Sequence, residues 1–322
     1  MKTSAVLDGT KNKENKFLKN KPLIGLIIFG VIVSILNPRF LSMANLLNIL
    51  RQTSINAIIA AGMTFVILTG GIDLSVGSIL AICGAVSASM LASGINGYLV
   101  LVITIILGII LGGISGAFIS YGKLQAFITT LVTMTLLRGA TLVFTDGKPI
   151  SMGFGDNAIL FDTIGGGYFL GIPVPVYIMG VVFIICGYIL KNTKFGRYVF
   201  AIGGNEEATK LSGIDVDKLK VKVYAISGGL AALAGIIITS RLGSAQPTAG
   251  TGYELDAIAA VVLGGTSLSG GVGSIGGTIT GALIIGVLGN ALNLLDVSSY
   301  YQMMIKAIVI LAAVLIDRKA NK

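Results

Sequence analysis

The chain has 322 residues, 54% of them hydrophobic and 11% charged, with a mean hydropathy of +0.91. A water-soluble domain carries about 25% charged residues, so this apolar surplus cannot be hidden in one soluble core and lipid must solvate much of the surface. The net charge of +9 sits in short connecting segments and at the ends, without the aromatic-studded basic stripe of a nucleic-acid binder, and histidine is absent, which removes imidazole bases and Ser-His triads.

Residues 1–21 carry six lysines ahead of an apolar run and are expected to form a disordered basic cytoplasmic tail. That run ends in Ser34-Ile35-Leu36-Asn37-Pro38-Arg39, a poor cleavage site, so a retained first span is expected rather than a signal peptide. A spanning helix needs about 20 largely apolar residues. The candidates are 22–37, 52–70, 75–94, 97–119, 124–144, 173–190, 221–240, 254–266, 274–295 and 300–317, the eighth too short to cross alone. The fold class is therefore an all-α polytopic membrane protein of about ten transmembrane helices. Residues 22–317 form a single transmembrane domain, 191–220 a polar cytoplasmic loop, and 318–322 a short cytoplasmic tail. Ten crossings put both ends on one side. If that side is the cytoplasm it receives seventeen of the 23 lysines and arginines, while the outside keeps only Arg39, Arg51, Lys148 and Arg241. The positive-inside rule then gives an N-in, C-in orientation. Cys83 and Cys186 lie in apolar runs without metal spacing and are read as buried free thiols, so no metal is expected.

One ten-residue pattern occurs twice. Gly70-Gly71-Ile72-Asp73-Leu74-Ser75 runs into Val76-Gly77-Ser78-Ile79, and Gly264-Gly265-Thr266-Ser267-Leu268-Ser269 reaches Val272-Gly273-Ser274-Ile275 after two extra glycines. Such paired, glycine-interrupted segments mark broken helices beside a transport pathway, although tight helix packing through small residues gives the same composition. The helix breaks are placed at Gly70, Gly71, Gly264 and Gly265. Thr69, Asp73, Ser75 and Ser267 are the polar side chains at these breaks. Asp73 is the costly one: a mid-membrane acid is paired, functional, or a cap for the helix that starts near Val76. By parity each copy follows an outside-to-inside helix, so the repeats run parallel.

In the inner loop, Asn205 can cap a short helix whose first turn holds Glu206 and Glu207, followed by Ala208 and ended by Gly213. This is either a solvated connector or a lever for a partner. Outside, the stretch from Ser244 to Asp256 offers Gln246, Tyr253 and Asp256 as hydrogen-bonding and aromatic groups suited to a sugar, or else an ordinary capping box between Thr251 and Glu254. No phosphate-binding loop occurs, since Gly122-Lys123 is followed by Leu124 and Gly147-Lys148 by Pro149. Nor does the sequence show an intramembrane lattice of acids and bases.

These stretches resemble the membrane-spanning permeases of bacterial ATP-binding-cassette sugar importers. The resemblance is carried by Asn56 to Ser78, Gln125 to Gly139, Gly196 to Ile214, the run AQPTAGTGYELDAIAAVVLGGTSLSGG starting at Ala245, and Val297 to Met303. It implies a transport subunit rather than an enzyme, placed in the bacterial cytoplasmic (inner) membrane and working as a homodimer. Its partners are a separate cytoplasmic ATPase subunit carrying ATP and Mg, an extracytoplasmic sugar-binding protein and membrane lipid, with no cofactor in this chain and no nucleic acid. It also makes 22–317 a permease domain. An inner loop of the form E-A-A-x-x-x-G docks the ATPase in that family, and Glu207-Ala208-Thr209 with Gly213 matches it with Thr209 in place of the second alanine. The short inner helix is then a coupling helix. The sugar is left open among pentoses, hexoses and signalling sugars, and a stand-alone secondary carrier is the rival class.

Overall fold

A computed structural model describes residues 21–153 and 155–320. The tail expected over 1–21 lies, apart from Lys21, outside the described residues, as do the last two residues of the C-terminal tail. Every predicted span coincides with a helix: α1 Lys21–Leu36, α2 Met43–Leu68, α3 Val76–Ala92, α4 Gly97–Ser120 and α5 Ala126–Thr145, followed by a short α6 Ile159–Gly166. The series continues with α7 Val174–Asn192, α8 Lys194–Gly204, α9 Glu206–Leu211, α10 Val216–Leu242, α11 Tyr253–Leu263, α12 Ile275–Leu294 and α13 Ser299–Ala320. Among them α2, α4, α5, α7, α10 and α12 are long and apolar enough to cross a membrane. The protein is an all-α polytopic membrane protein.

Two boundaries differ from the hydropathy-based expectation. Helix α2 starts nine residues earlier, because the Ser42 hydroxyl accepts from Asn45 N–H and a polar turn through Asn48 and Gln52 is carried into the helix. Helix α10 starts at Val216, where the Asp215 carboxylate accepts from Lys218 N–H at 3.0 Å. Capping polar residues lower a hydropathy average while favouring a helix start.

Helix α2 forms the centre. Every residue from Ala57 to Leu68 is buried, against α7, α10, α11 and α12. Beside it α4 and α10 approach most closely, through Gly108, Gly112 and Gly116 on one and Gly228 on the other; a Cβ on Gly112 would strike the Tyr224 carbonyl and the Gly228 backbone. Without a hydrophobic force between helices in lipid, such close backbone packing supplies the attraction. The outward faces of α4, α5, α7 and α13 carry exposed Ile110, Phe118, Val132, Leu136, Ile184 and Ile308, a surface suited to lipid.

The 145–172 loop holds more regular structure than its composition suggests. Strand β1 (Ile150–Ser151), after the chain passes α6 and the β2–β3 ladder (Tyr168–Phe169 with Ile172–Pro173), pairs antiparallel with β4 (Ser244–Ala245). Phe161 of α6 is fully buried, Gly165 N–H donates to Ser240 Oγ at 2.8 Å, and Arg51 of α2 donates to the Gly165 carbonyl at 2.7 Å. The loop is thereby fastened to α2 and α10. Both cysteines are buried free thiols.

Candidate solute pathway and its attachment to α8 and α9

Both glycine motifs end a helix by the same device. After α2, Gly70 N–H donates to Ile67 O and Gly71 N–H to Val66 O; after α11, Gly265 N–H donates to Val262 O and Thr266 N–H to Val261 O. The left-handed residue of each turn is Gly70 (φ 77°) and Gly265 (φ 84°), a conformation that glycine adopts without steric cost. The structural equivalence is thus Gly70 with Gly265, one residue out of register with the sequence match, which pairs Gly70 with Gly264. The restarts differ as well. Val76-Gly77-Ser78 fills the first turn of α3, whereas Val272-Gly273-Ser274 lies ahead of α12, whose cap is Ser274 Oγ accepting from Gly277 N–H at 3.0 Å. Gly270 and Gly271, both at positive φ, lengthen the second loop and delay that helix.

Asp73 is wholly buried. Its Oδ1 accepts from Ser75 N–H (3.0 Å) and Ser75 Oγ (2.5 Å), and its Oδ2 accepts from Ser227 Oγ of α10 at 2.8 Å. Neither Asp73 nor Ser75 makes the cap bond to the first turn of α3 that the sequence suggested; Ser75 stands at the N-cap, but its hydroxyl is turned to Asp73 rather than to the helix N–H groups. The carboxylate instead ties the first loop to α10. Ser227, 154 residues away, is invisible to any local pattern.

The two loops meet one another and α8. Gly271 N–H donates to the Leu68 carbonyl at 3.0 Å, and Gly203 of α8 sits so close that a Cβ there would strike Leu68 O and Gly271 N. Thr69, Gly70 and Gly71 line a cavity of about 320 Å³ with Lys123, Tyr224, Lys220 and Glu206. Ser267 is buried and holds its own loop, its Oγ accepting from Ser269 N–H at 3.3 Å.

Immediately after α8, Asn205 Oδ1 accepts from Ala208 N–H at 2.9 Å and starts α9, which closes at Ser212 before Gly213 (φ 81°). Thr209, the departure from the alanine pattern, is buried and its hydroxyl donates to the Asn205 carbonyl at 2.7 Å. Glu206 pairs with Lys220 of α10 at 2.6 Å. Glu207 and Ala208 are exposed, Glu207 makes no ion pair among the described residues, and Leu211 is 89% exposed, an apolar side chain that the sequence reading passed over.

Beside the middle of α2, Asp256 of α11 is buried and paired with Lys306 of α13 at 2.8 Å, with Asn56 Nδ2 donating to the same oxygen at 3.4 Å. This is a single acid–base pair rather than a lattice, and its members are fifty residues apart. Tyr253 lines the same space, while Gln246 donates to Ser244 Oγ beside the β1–β4 ladder and is not brought to it. The Thr251–Glu254 capping box does not form: Gly252 is the N-cap, and Glu254 Oε1 accepts from Gly252 N–H. Arg138 of α5 donates to the Pro247 and Ala249 carbonyls at 2.9 and 2.8 Å, bracing that turn.

The chain is 63% identical to the ribose import permease protein of Haemophilus influenzae over 95% of this chain and 97% of the relative. It is 60% identical to that of Bacillus subtilis, covering 93% and 92%, and 40% identical to the D-allose transport system permease protein of Escherichia coli, covering 92% and 91%. No solved structure matches the chain. These relatives are transport subunits rather than enzymes, and with six membrane-length helices they make the chain a multi-pass inner-membrane protein. The family described as "Branched-chain amino acid transport system / permease component" matches residues 45–314, and the chain belongs to it.

Proposed function

We propose that this chain is the membrane-spanning permease of an ATP-binding-cassette importer for ribose. One observation carries the choice of sugar. Identity reaches 58–63% with ribose import permeases of three genera but 40% with the D-allose permease and 36% with the xylose permeases. A branched-chain amino acid, suggested by the family's description, is the less favoured cargo on the same ground.

In this proposal about ten helices cross the membrane with both ends inside, and residues 22–317 act as one permease domain in a homodimer. Glu206, Glu207, Ala208 and Gly213, with the Asn205 cap, form the coupling helix that docks a separate ATPase subunit holding ATP and Mg. A sugar-binding protein delivers cargo from outside. ATP binding closes the ATPase pair, α9 moves with it, and the permease dimer opens outward; hydrolysis resets it. Thr69, Asp73, Ser75, Ser267, Gln246, Tyr253 and Asp256 are the proposed pathway side chains, with the helix ends at Gly70, Gly71, Gly264 and Gly265 giving the loops their freedom to move.

The test is reconstitution in proteoliposomes with the ATPase subunit and the binding protein. Labelled ribose should accumulate against its gradient only with ATP inside the cytoplasmic face. Accumulation by the permease without its ATPase subunit would establish a secondary carrier instead.

A further inference from the structure

Around the middle of α2, helices α2, α10, α11, α12 and α13 line a cavity of about 280 Å³. From Asn56 there to Gly71 at the inner cavity, α2 rises ~20 Å. The wall is polar where a bundle interior is ordinarily apolar: Thr53 and Asn56 from α2, Arg241 from α10, Tyr253 and Asp256 from α11, Gln302 and Lys306 from α13. Two of these polar groups have no partner in the protein. The Thr53 hydroxyl belongs to a side chain only 2% exposed and bonds to nothing, whereas Thr64 on the same helix donates to the carbonyl four residues back. Asn56 spends its amide N–H on Asp256 and leaves a buried Oδ1 unpaired.

Unpaired buried donors and acceptors are costly, and a ligand that pairs them gains what the empty protein lacks. The ligand must supply groups that both donate and accept, because the orphans are a hydroxyl and an amide oxygen. Lys306 is held by Asp256, and Arg241 of α10 adds a second cation to the wall, so a cationic ligand is repelled and an apolar solute leaves both orphans unpaired. The neutral polyhydroxylated ring of the proposed cargo supplies both kinds of group, with the Tyr253 ring present for its C–H face. We infer that this cavity is a monosaccharide subsite within a single permease chain, with Thr53 and Asn56 as its hydrogen-bonding contacts. The inference deepens the proposed function and rests on it.

The experiment uses the full chain purified with its ATPase subunit in phosphatidylcholine nanodiscs, without binding protein, and measures tritiated D-ribose binding. Saturable binding is expected for the wild type. Thr53→Val, which keeps the shape and removes the hydroxyl, should bind about tenfold more weakly, while Thr53→Ser, which keeps the hydroxyl and removes a methyl, should stay within about twofold. If Ser is the damaging change and Val the neutral one, Thr53 is a packing residue and the subsite falls. Absence of wild-type binding also overturns it. ATP-driven uptake by the same wild-type assembly in proteoliposomes with binding protein separates the two claims: uptake without direct binding removes the subsite alone, and no uptake removes the importer itself.

Discussion

A wholly buried carboxylate with three hydrogen bonds, Asp73 joins the first glycine loop to α10 through Ser227. Replacing it by alanine strips the partner from two hydroxyls, and each buried group left unmade costs about 1–3 kcal/mol. Asp73→Ala should therefore lower stability by roughly 2–5 kcal/mol, read as an earlier loss of the monodisperse peak on heating in detergent. Asp73→Asn keeps the acceptor toward Ser75, and the Ser227 hydroxyl can rotate to accept from the new amide. It should fold nearly as well as the wild type. Wild-type uptake in that variant would make Asp73 an architectural residue; a transport defect in a stable protein would place it on the pathway. The sequence flagged Asp73 by its cost in lipid, yet its partner across the bundle was beyond reach, because Ser227 sits in a run of alanine, glycine and serine with nothing to distinguish it.

Helices were legible because lipid leaves so little choice: a long apolar run must satisfy its backbone internally, and each of the ten runs is helical. What hydropathy could not see were the elements whose start depends on a single polar side chain. The ladder of β1 with β4 rests on tertiary pairing that no local period encodes. Asp215, which begins α10, shows how such a cap behaves with pH. Its carboxyl is held below the usual carboxylate range by the hydrogen bond to the Lys218 side chain and then by Lys218 N–H. A depressed folded value means the cap contributes fully above the unfolded value and is lost as pH falls through the folded one. Hydrogen exchange in the first turn of α10 should accordingly quicken only at pH below the ordinary aspartate value, and Asp215→Asn should abolish that dependence. The α4–α10 contact is a packing test of another kind. Gly112→Leu would drive a side chain into the Gly228 backbone, and overpacking of this sort costs typically 1–3 kcal/mol. The expected outcome is a lower thermal midpoint with the helical circular dichroism unchanged.

Across the whole molecule the question is how a helix that faces the cytosol in the proposed orientation could act on loops inside the bundle. The sequence offered the two ends of this connection, the repeated glycine motif and the Asn205–Gly213 helix, without the link. The link is the carboxyl end of α8, where Gly203 meets the Leu68 carbonyl of one motif and Gly271 of the other, with Asn205 starting α9 two residues later. Because these contacts are backbone to backbone, no side chain can rotate to absorb a displacement of α9, and in the proposed mechanism a rigid shift there would pass to both loops together. Two substitutions separate docking from transmission. Glu207 is exposed and unpaired among the described residues, so Glu207→Lys should leave membrane insertion and thermal stability intact while the ATPase subunit no longer copurifies and ATP-driven uptake disappears. Gly203→Ala leaves the exposed face of α9 untouched but adds a methyl where the backbones touch. Its complex with the ATPase subunit should assemble normally, yet uptake should fall about tenfold, the scale of a 1–3 kcal/mol packing penalty on the moving contact. Uptake at the wild-type rate in Gly203→Ala would show that α9 reaches the pathway by another route, leaving the Glu206–Lys220 pair to α10 as the remaining connection.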